Sequence, residues 1–241
     1  MSKTEEISTV WQMKPCDMQI VKELAYELEI PQSIAQVMVT RGIDSVKKAN
    51  QFIKLGINQL HNPSLLPDSQ KAIERISKAI DNQEKIFVWG DYDVDGITST
   101  AIVVTALKKM GANLEFKVPH RMEDGYDIKV HSVDEAISRQ ADLLMSVDCG
   151  ILAFETAEYA KQCGIDLIIT DHHHPSHDGR IPDCVAVVNP NRDDPHYPGE
   201  HFKSHTKDDF KRYSFDFLAG CGIAFKLRSE EHTSELQSRF G

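Results

Sequence analysis

The 241-residue sequence has few of the features that mark secreted, disulfide-rich or membrane-spanning proteins. Its five cysteines form no Cys-x-x-Cys pair and are odd in number, which argues against a disulfide framework and a cysteine zinc site. No uncharged apolar run approaches the roughly 20 residues of a membrane span. The first residues, MSKTEEISTVW, also lack the basic and then apolar build of a signal peptide. We therefore expect a cytoplasmic protein that has no membrane partner.

Positive charge is also scarce, with 27 Lys and Arg against 37 Asp and Glu and a formal net charge of −10. This balance disfavours indiscriminate binding of nucleic acid through phosphate contacts. Divalent cations bound among the acids would offset part of the charge locally, so the charge alone does not exclude a nucleic-acid substrate. The hydrophobic content of 41% is enough for one large domain or two small ones.

The order of predicted elements divides the chain into two parts. Residues 1–82 are predicted to form a small helical N-terminal region, in which Asp17 caps the first helix. After it, strands alternate with helices, which is typical of an α/β, doubly wound fold with a mostly parallel sheet. This second domain is predicted over residues 83–227. The predicted strands are 85–89, 114–118, 143–147, 166–170 and 184–189, and the helices between them are 97–110, 132–139 (opened by a capping box of Ser132 and Glu135) and 151–163.

A run of aspartates follows the first predicted strand. Asp91, Asp93 and Asp95 occupy alternate positions in GDYDVDG. Carboxylates this close repel one another unless cations lie among them. The spacing also matches the first half of an EF-hand loop, but the twelfth position, which should be a bidentate Glu, is Ile102. An acidic surface turn that binds no ligand remains an alternative on these residues alone.

Two further groups of metal-binding residue types follow the third and fourth predicted strands. Asp148 follows the third strand, and Asp171, His172 and His173 follow the fourth. Taken singly, Asp148 could be a helix N-cap and His172 an exposed loop histidine. The carboxyl ends of parallel strands meet at one sheet edge, so the three groups together predict one site. Its oxygen-rich composition suits Mn²⁺ or Mg²⁺ better than Zn²⁺, and two such ions form a clamp for in-line attack on phosphorus.

Arg121 follows the second predicted strand in the segment VPHR and is a candidate phosphate clamp. The alternative is a surface arginine that pairs with Glu123 or Asp124. Two further histidines, His174 and His177, lie close to the fourth strand. Adjacent side chains on an extended segment point in alternate directions, so we expect both to face solvent.

Five segments of the sequence resemble one known family when they are taken together. GDYDVDG, VPHRMEDGY, SVDCGI, TDHHH and LAGCGIAFKL occur in the order and roughly the spacing of the bacterial RecJ single-stranded-DNA exonucleases, which belong to the DHH phosphoesterase superfamily. The resemblance covers residues 11–227. It implies 5′-to-3′ hydrolysis of single-stranded DNA in recombination and repair, with two Mn²⁺ or Mg²⁺ ions and with recombination or repair proteins as candidate partners.

The resemblance also implies a role for each site residue. The three aspartates of GDYDVDG, together with Asp148 and His172, would bind the metals, and Asp148 would bridge them. His173 would face the scissile phosphate or the leaving oxygen, and Asp171 would orient the two histidines.

The sequence departs from the family at several positions. His120 and Asp127 stand where relatives commonly have Asn and Gly, in PNR and GYG. After LAGCGIAFKL the chain lacks the fourth metal-binding aspartate and the later domains of the family. Residues 228–241, RSEEHTSELQSRFG, resemble the translation of a sequencing-library adapter. We therefore expect an artefactual tail on a C-terminally truncated chain that is weakly active or inactive alone.

Two other functions remain open from the sequence. One is a phosphodiesterase of the same superfamily that acts on small phosphoesters or short oligonucleotides. The long helical N-terminal region argues against it, because the shorter members of the superfamily lack such a region. The other is a replication scaffold that has lost its metals, and the intact set of acids and histidines argues against that.

Overall fold

The computed structural model describes residues 12, 14–54, 56, 60–193, 213 and 217–233, with side chains as far as residue 228. Backbone contacts divide the chain into two compact units, Met1–Leu60 and His61–Gly241. This division falls earlier than the predicted limit at residue 82; the predicted domains 1–82, 83–227 and 228–241 stay predictions. Residues 234–241 of the predicted tail lie outside the described residues. In the part of the chain that is described, no helix has the length and apolarity needed to cross a membrane.

The described residues form eight α-helices and five β-strands. The helices are α1 (Met18–Glu27), α2 (Gln32–Thr40), α3 (Val46–Ile53), α4 (Ser69–Asp81), α5 (Val94–Lys109), α6 (Val130–Ser138), α7 (Phe154–Gln162) and α8 (Gly220–Thr233). The strands are β1 (Ile86–Trp89), β2 (Leu114–Lys117), β3 (Leu143–Val147), β4 (Asp166–Thr170) and β5 (Ala186–Val188).

The first unit consists of helices α1 to α3 around a small apolar core. The buried residues of this core are Val21, Leu24, Ala35, Met38 and Ala49. The carboxylate of Asp17 accepts a hydrogen bond from the N–H of Gln19 at 2.8 Å, which confirms the predicted cap of α1.

The second unit is built on a five-stranded parallel sheet in the order β2-β1-β3-β4-β5. The predicted doubly wound α/β fold is therefore confirmed. Successive strand residues point to opposite faces, so the sheet separates two apolar cores. Helices α4, α5 and α8 pack on one face, and α6 and α7 pack on the other. The chain passes from β1 outward to β2 and then returns past β1 to β3, which creates a crevice at the carboxyl ends of β1 and β3.

The three helices predicted between the strands all begin at other residues in the structure, and α7 begins at Phe154 instead of residue 151. Helix α5 begins at Val94 because the carboxylate of Asp93 accepts the N–H of Gly96 at 2.9 Å and caps the helix. Helix α6 begins at Val130, so the predicted capping box of Ser132 and Glu135 is wrong. The carboxylate of Glu135 instead pairs with Lys117 and Arg139.

The core of the second unit should be sensitive to the loss of a side chain. Met145, in β3, is 1% exposed, whereas Met122 is 85% exposed. Met145→Ala should lower the free energy of unfolding by about 2–5 kcal/mol, because it leaves a cavity between the sheet and its helices. Met122→Ala, the matched control, should change it by less than about 0.5 kcal/mol. Urea denaturation followed by tryptophan fluorescence measures both, and equal losses would contradict the assigned core.

Candidate metal centre

Three buried carboxylates meet at the carboxyl edge of the sheet. Asp91 lies just after β1, Asp148 directly follows β3, and Asp171 directly follows β4. Strands β1 and β4 both pair with β3, so the three residues are neighbours at one edge. Each of the three is at most 2% exposed. Their mutual repulsion in a water-poor environment must be offset by hydrogen-bond donors or by cations.

Two overlapping groups of residues have the geometry to hold cations. The first is Asp91, Asp93 and Asp148, and the second is Asp148, His172 and His173. In each group, one potential ligand atom from every residue lies within 4.8 Å of the others. Asp148 belongs to both groups, which is where a carboxylate shared by two ions would lie.

The carboxylate of Asp148 is the least compensated charge of the site. Its Oδ1 atom is buried and accepts no hydrogen bond from the described residues, and Nε2 of His172 lies 3.3 Å from it. Burial, followed by the charges of Asp95 and Asp93, raises the pKa of Asp148 to about 8. The backbone here has a φ of 67°, in the left-handed region, and the Asp148 N–H donates to the carbonyl of Thr170 at 2.8 Å. A bound cation would favour the ionised form of this carboxyl and would supply the partner that its buried oxygen lacks.

Both carboxylate oxygens of Asp171 have hydrogen-bond partners. Its Oδ2 accepts the N–H of Ile151 at 2.9 Å, and its Oδ1 contacts Nδ1 of His173 at 2.7 Å. This second contact raises the pKa of His173 to about 9. It also turns Nε2 of His173 outward, to 3.4 Å from the hydroxyl of Tyr126, on a side chain that is 43% exposed. Asp171 therefore holds the His173 ring in a fixed orientation.

Asp95 lies in the first turn of α5 and contacts the start of α8. Its Oδ2 accepts the N–H of Gly220 at 2.7 Å, and its Oδ1 accepts the N–H of Cys221 at 2.8 Å. Burial would raise the pKa of Asp95, but the N–H groups of Cys221 and Gly220 outweigh it and hold the pKa below its usual value. Oδ2 also lies 3.5 Å from Nε2 of His172. The metal-binding role of Asp95 stays a prediction.

The start of α8 also approaches Asp148 closely. A Cβ atom at Gly220 would overlap the Asp148 carboxylate, so this approach requires glycine. The last helix in the described part of the chain thus forms one wall of the site.

Arg121 lies beside the first acidic loop. Its guanidinium carbon is 5.5 Å from the ring centroid of Tyr92, the residue that follows Asp91. Asp124, considered above as its partner, accepts a 2.9 Å contact from Lys117 Nζ. The phosphate-binding role of Arg121 stays a prediction. His174 and His177 are exposed, as expected.

Two buried asparagines that were not predicted from the sequence, Asn189 and Asn191, follow β5 and support the site. Asn189 donates to the carbonyl of His173 and Asn191 to that of His172. The sequence does contain a signal for them, because both are polar residues within three positions of the end of an apolar strand, at the same sheet edge. Asp127, noted above only as a departure from the family, also lies near the site. Burial and the carboxylates of Asp171 and Asp91 raise its pKa.

Comparisons with known proteins agree with this arrangement. The sequence model of the DHH family, N-terminal domain, matches residues 85–240, and the chain belongs to this family. The chain is 36% identical over 217 residues to the single-stranded-DNA-specific exonuclease RecJ of Bacillus subtilis strain 168, covering 90% of this chain and 25% of that protein. The chain thus spans about a quarter of the length of this curated relative.

Two solved structures are also similar. A crystal structure of exonuclease RecJ bound to manganese has 31% sequence identity and a TM-score of 0.55, over 70% of this chain and 38% of that chain. The structure of RecJ from Thermus thermophilus in complex with Mn²⁺ has 26% identity and a TM-score of 0.65, over 90% of this chain and 27% of that chain. These similarities confirm the predicted family resemblance and fold class.

The metal-free protein should lose stability as Asp148 ionises. The folded chain keeps a proton on Asp148 up to a pH of about 8, whereas the unfolded chain loses it near the ordinary pKa of 3.8. This carboxyl therefore makes the free energy of unfolding fall as the pH rises between these two values. Asp148→Asn should remove that part of the decline, as measured by urea denaturation with a chelator at pH 5 and pH 8.

The matched control is Asp183→Asn, which changes an exposed acid that pairs with Lys161 at 2.6 Å. It should keep the wild-type decline between pH 5 and pH 8. An Asp148→Asn protein with that same decline would contradict the buried, uncompensated carboxylate.

Proposed function

We propose that this site hydrolyses phosphodiester bonds of single-stranded DNA in the 5′-to-3′ direction, with two Mn²⁺ or Mg²⁺ ions as cofactors. The observation that carries this proposal is that Asp148 is shared by two groups of potential ligands and has a buried oxygen without a hydrogen-bond donor. Family membership and the 36% identity to a relative named as a single-stranded-DNA-specific exonuclease support it. We further propose a cytoplasmic role in recombination and repair, alongside other proteins of those processes.

The metal ligands we propose are Asp91, Asp93, Asp95, Asp148 and His172. All of them lie at the carboxyl edge of the sheet, and Asp148 is the one that would bridge the two ions. When bound, the ions supply Lewis acidity that polarises the phosphoryl group and neutralises charge developing on its oxygens.

The chain's own residues would then hold the substrate and move the proton. Asp171 holds Nδ1 of His173 at 2.7 Å and favours the charged imidazolium, so Nε2 carries a proton. Because Nε2 faces outward, it can pass that proton to the leaving oxygen as a general acid. Arg121, beside Tyr92, would pair with a phosphate of the strand.

Metal binding by this chain is the first test. Calorimetric titration of the purified chain with Mn²⁺ should show binding, and Asp148→Asn should lose it, because the variant replaces the carboxylate that belongs to both groups with a neutral amide. The loss should exceed the about 10–100-fold that is typical of residues lying behind the ligands. Asp183→Asn should bind Mn²⁺ like the wild type, and unchanged affinity in Asp148→Asn would rule out the shared-ligand assignment.

Release of nucleotides from 5′-labelled single-stranded DNA is the second test. It is measured with this chain and with any longer protein that contains it, with Mn²⁺ or with chelator. Mn²⁺-dependent release is expected, and His173→Ala should lower its rate by about 10²–10⁴-fold, as for the loss of a general acid. The matched control is His174→Ala, which changes the adjacent exposed histidine and should leave the rate unchanged.

Three substrates separate the alternatives. Preference for a long single strand over the matching duplex and over a dinucleotide supports the proposal. Cleavage of the dinucleotide alone would favour a small-phosphoester enzyme instead. An absence of Mn²⁺-dependent release from every substrate, with both proteins, would refute the exonuclease assignment.

A further inference from the structure

We propose that Asn189 and Asn191 are positioning residues that fix His172 and His173 in the metal centre. Neither amide is placed among the potential metal ligands, and both act on the backbone of the histidines. This inference rests on the metal site of the proposed function.

The two asparagines form a short hydrogen-bonded clamp, which we call the asparagine clamp. Nδ2 of Asn189 donates to the carbonyl of His173 at 2.9 Å, and Nδ2 of Asn191 donates to the carbonyl of His172 at 2.6 Å. The N–H of Asn191 donates to Oδ1 of Asn189 at 2.7 Å. Because that oxygen must accept, the orientation of the Asn189 amide is settled, and its nitrogen faces His173. Both asparagines are buried.

The asparagine clamp continues the sheet beyond the point where the strands stop pairing. The last paired residues of β4 and β5 are Thr170 and Val188, and the N–H of Asp171 still donates to the Val188 carbonyl at 3.1 Å. The carbonyls of His172 and His173 lie beyond this last hydrogen bond between the two strands. Side-chain amides donate to them in place of a strand's N–H groups, so the backbone that carries both imidazoles is hydrogen-bonded on this side.

A buried ion pair anchors the asparagine clamp to the second unit's first long helix. Nη1 of Arg192 donates to Oδ2 of Asp68 at 2.6 Å and to the carbonyl of Val187 at 2.7 Å. The side chains of Arg192 and Asp68 are 7% and 12% exposed. Asp68 is the N-cap residue of α4 but makes no side-chain cap bond, because its carboxylate instead contacts Arg192 and Lys71. The Asp68 carboxylate therefore holds Arg192 and does not cap α4.

The position of His172 depends on this support. Its Nε2 lies 3.3 Å from the uncompensated oxygen of Asp148, and a small shift of the loop would move the ring away from it. Groups that orient a ligand from behind typically change metal affinity by about 10–100-fold when they are replaced. The asparagine clamp has the contacts expected of such groups.

Asn191→Asp tests this role, because it keeps the shape of the side chain and replaces the donor with an oxygen that faces the His172 carbonyl. We expect the Mn²⁺ dissociation constant to rise by about 10-fold or more in calorimetry. We also expect the ring resonances of His172 and His173 to shift in the NMR spectrum of the metal-free protein, while those of the other histidines stay in place. Asn191→Ser, which removes the amide and leaves space for water, is the second variant and should act in the same direction.

The matched control is Asn50→Asp in α3. The Asn50 amide also donates to a backbone carbonyl, that of Val46 at 3.0 Å, but in the first unit. This variant loses the same kind of hydrogen bond and should keep wild-type Mn²⁺ affinity. If a folded Asn191 variant keeps both wild-type affinity and unshifted ring resonances, the asparagines only satisfy buried carbonyls and the proposal is overturned.

The readouts separate this proposal from the proposed function. Weaker Mn²⁺ binding and shifted ring resonances in Asn191→Asp, without Mn²⁺-dependent DNA hydrolysis by this chain or by a longer protein that contains it, would support the positioning role and refute the exonuclease. DNA hydrolysis by the wild type, together with unchanged Mn²⁺ binding and unchanged ring resonances in both Asn191 variants, would support the exonuclease and refute the positioning role.

Discussion

The other contacts of the site offset one unfavourable interaction, the repulsion between carboxylates at one edge of a parallel sheet. Asp91, Asp148 and Asp171 are buried side by side, where water cannot screen them. Each neighbouring acid has backbone or imidazole donors: Asp171 has Ile151 and His173, and Asp95 has the first N–H groups of α8. Among the acids of the site, Asp148 is the one whose buried oxygen has no hydrogen-bond donor in the described residues. The site is thus compensated except at the point where a cation would bind.

The sheet topology explains why these acids meet. The reversal between β1 and β3 opens a crevice at the carboxyl ends of these strands, and Asp91 and Asp148 follow the two strands that flank it. The two apolar cores on either side of the sheet hold the strands in register. The geometry of the acids is therefore set by burial of apolar residues, and the charged groups do not need to stabilise the fold themselves.

The sheet and the main site residues could be predicted because both depend on short sequence patterns. Predicted strands 143–147 and 166–170 coincide with β3 and β4, and the polar residues after them reach the same edge in any parallel sheet. The features that could not be predicted depend on contacts between residues that lie far apart in the sequence. Glu135 looked like part of a capping box but pairs with Lys117 from β2. Asn189 and Asn191 could not be predicted from the pattern of metal ligands, because their amides carry no charge and contact the histidines only through backbone carbonyls.

The close approach of α8 to Asp148 links two positions that lie far apart in the sequence. Residue 220 can carry no side chain while residue 148 is an aspartate in its present position, because the two would occupy the same space. Among natural or selected variants, a side chain at position 220 should therefore appear only together with a smaller residue at position 148. Such a pair would give up the shared carboxylate, so glycine at position 220 is a sequence marker for chains of this fold that keep it.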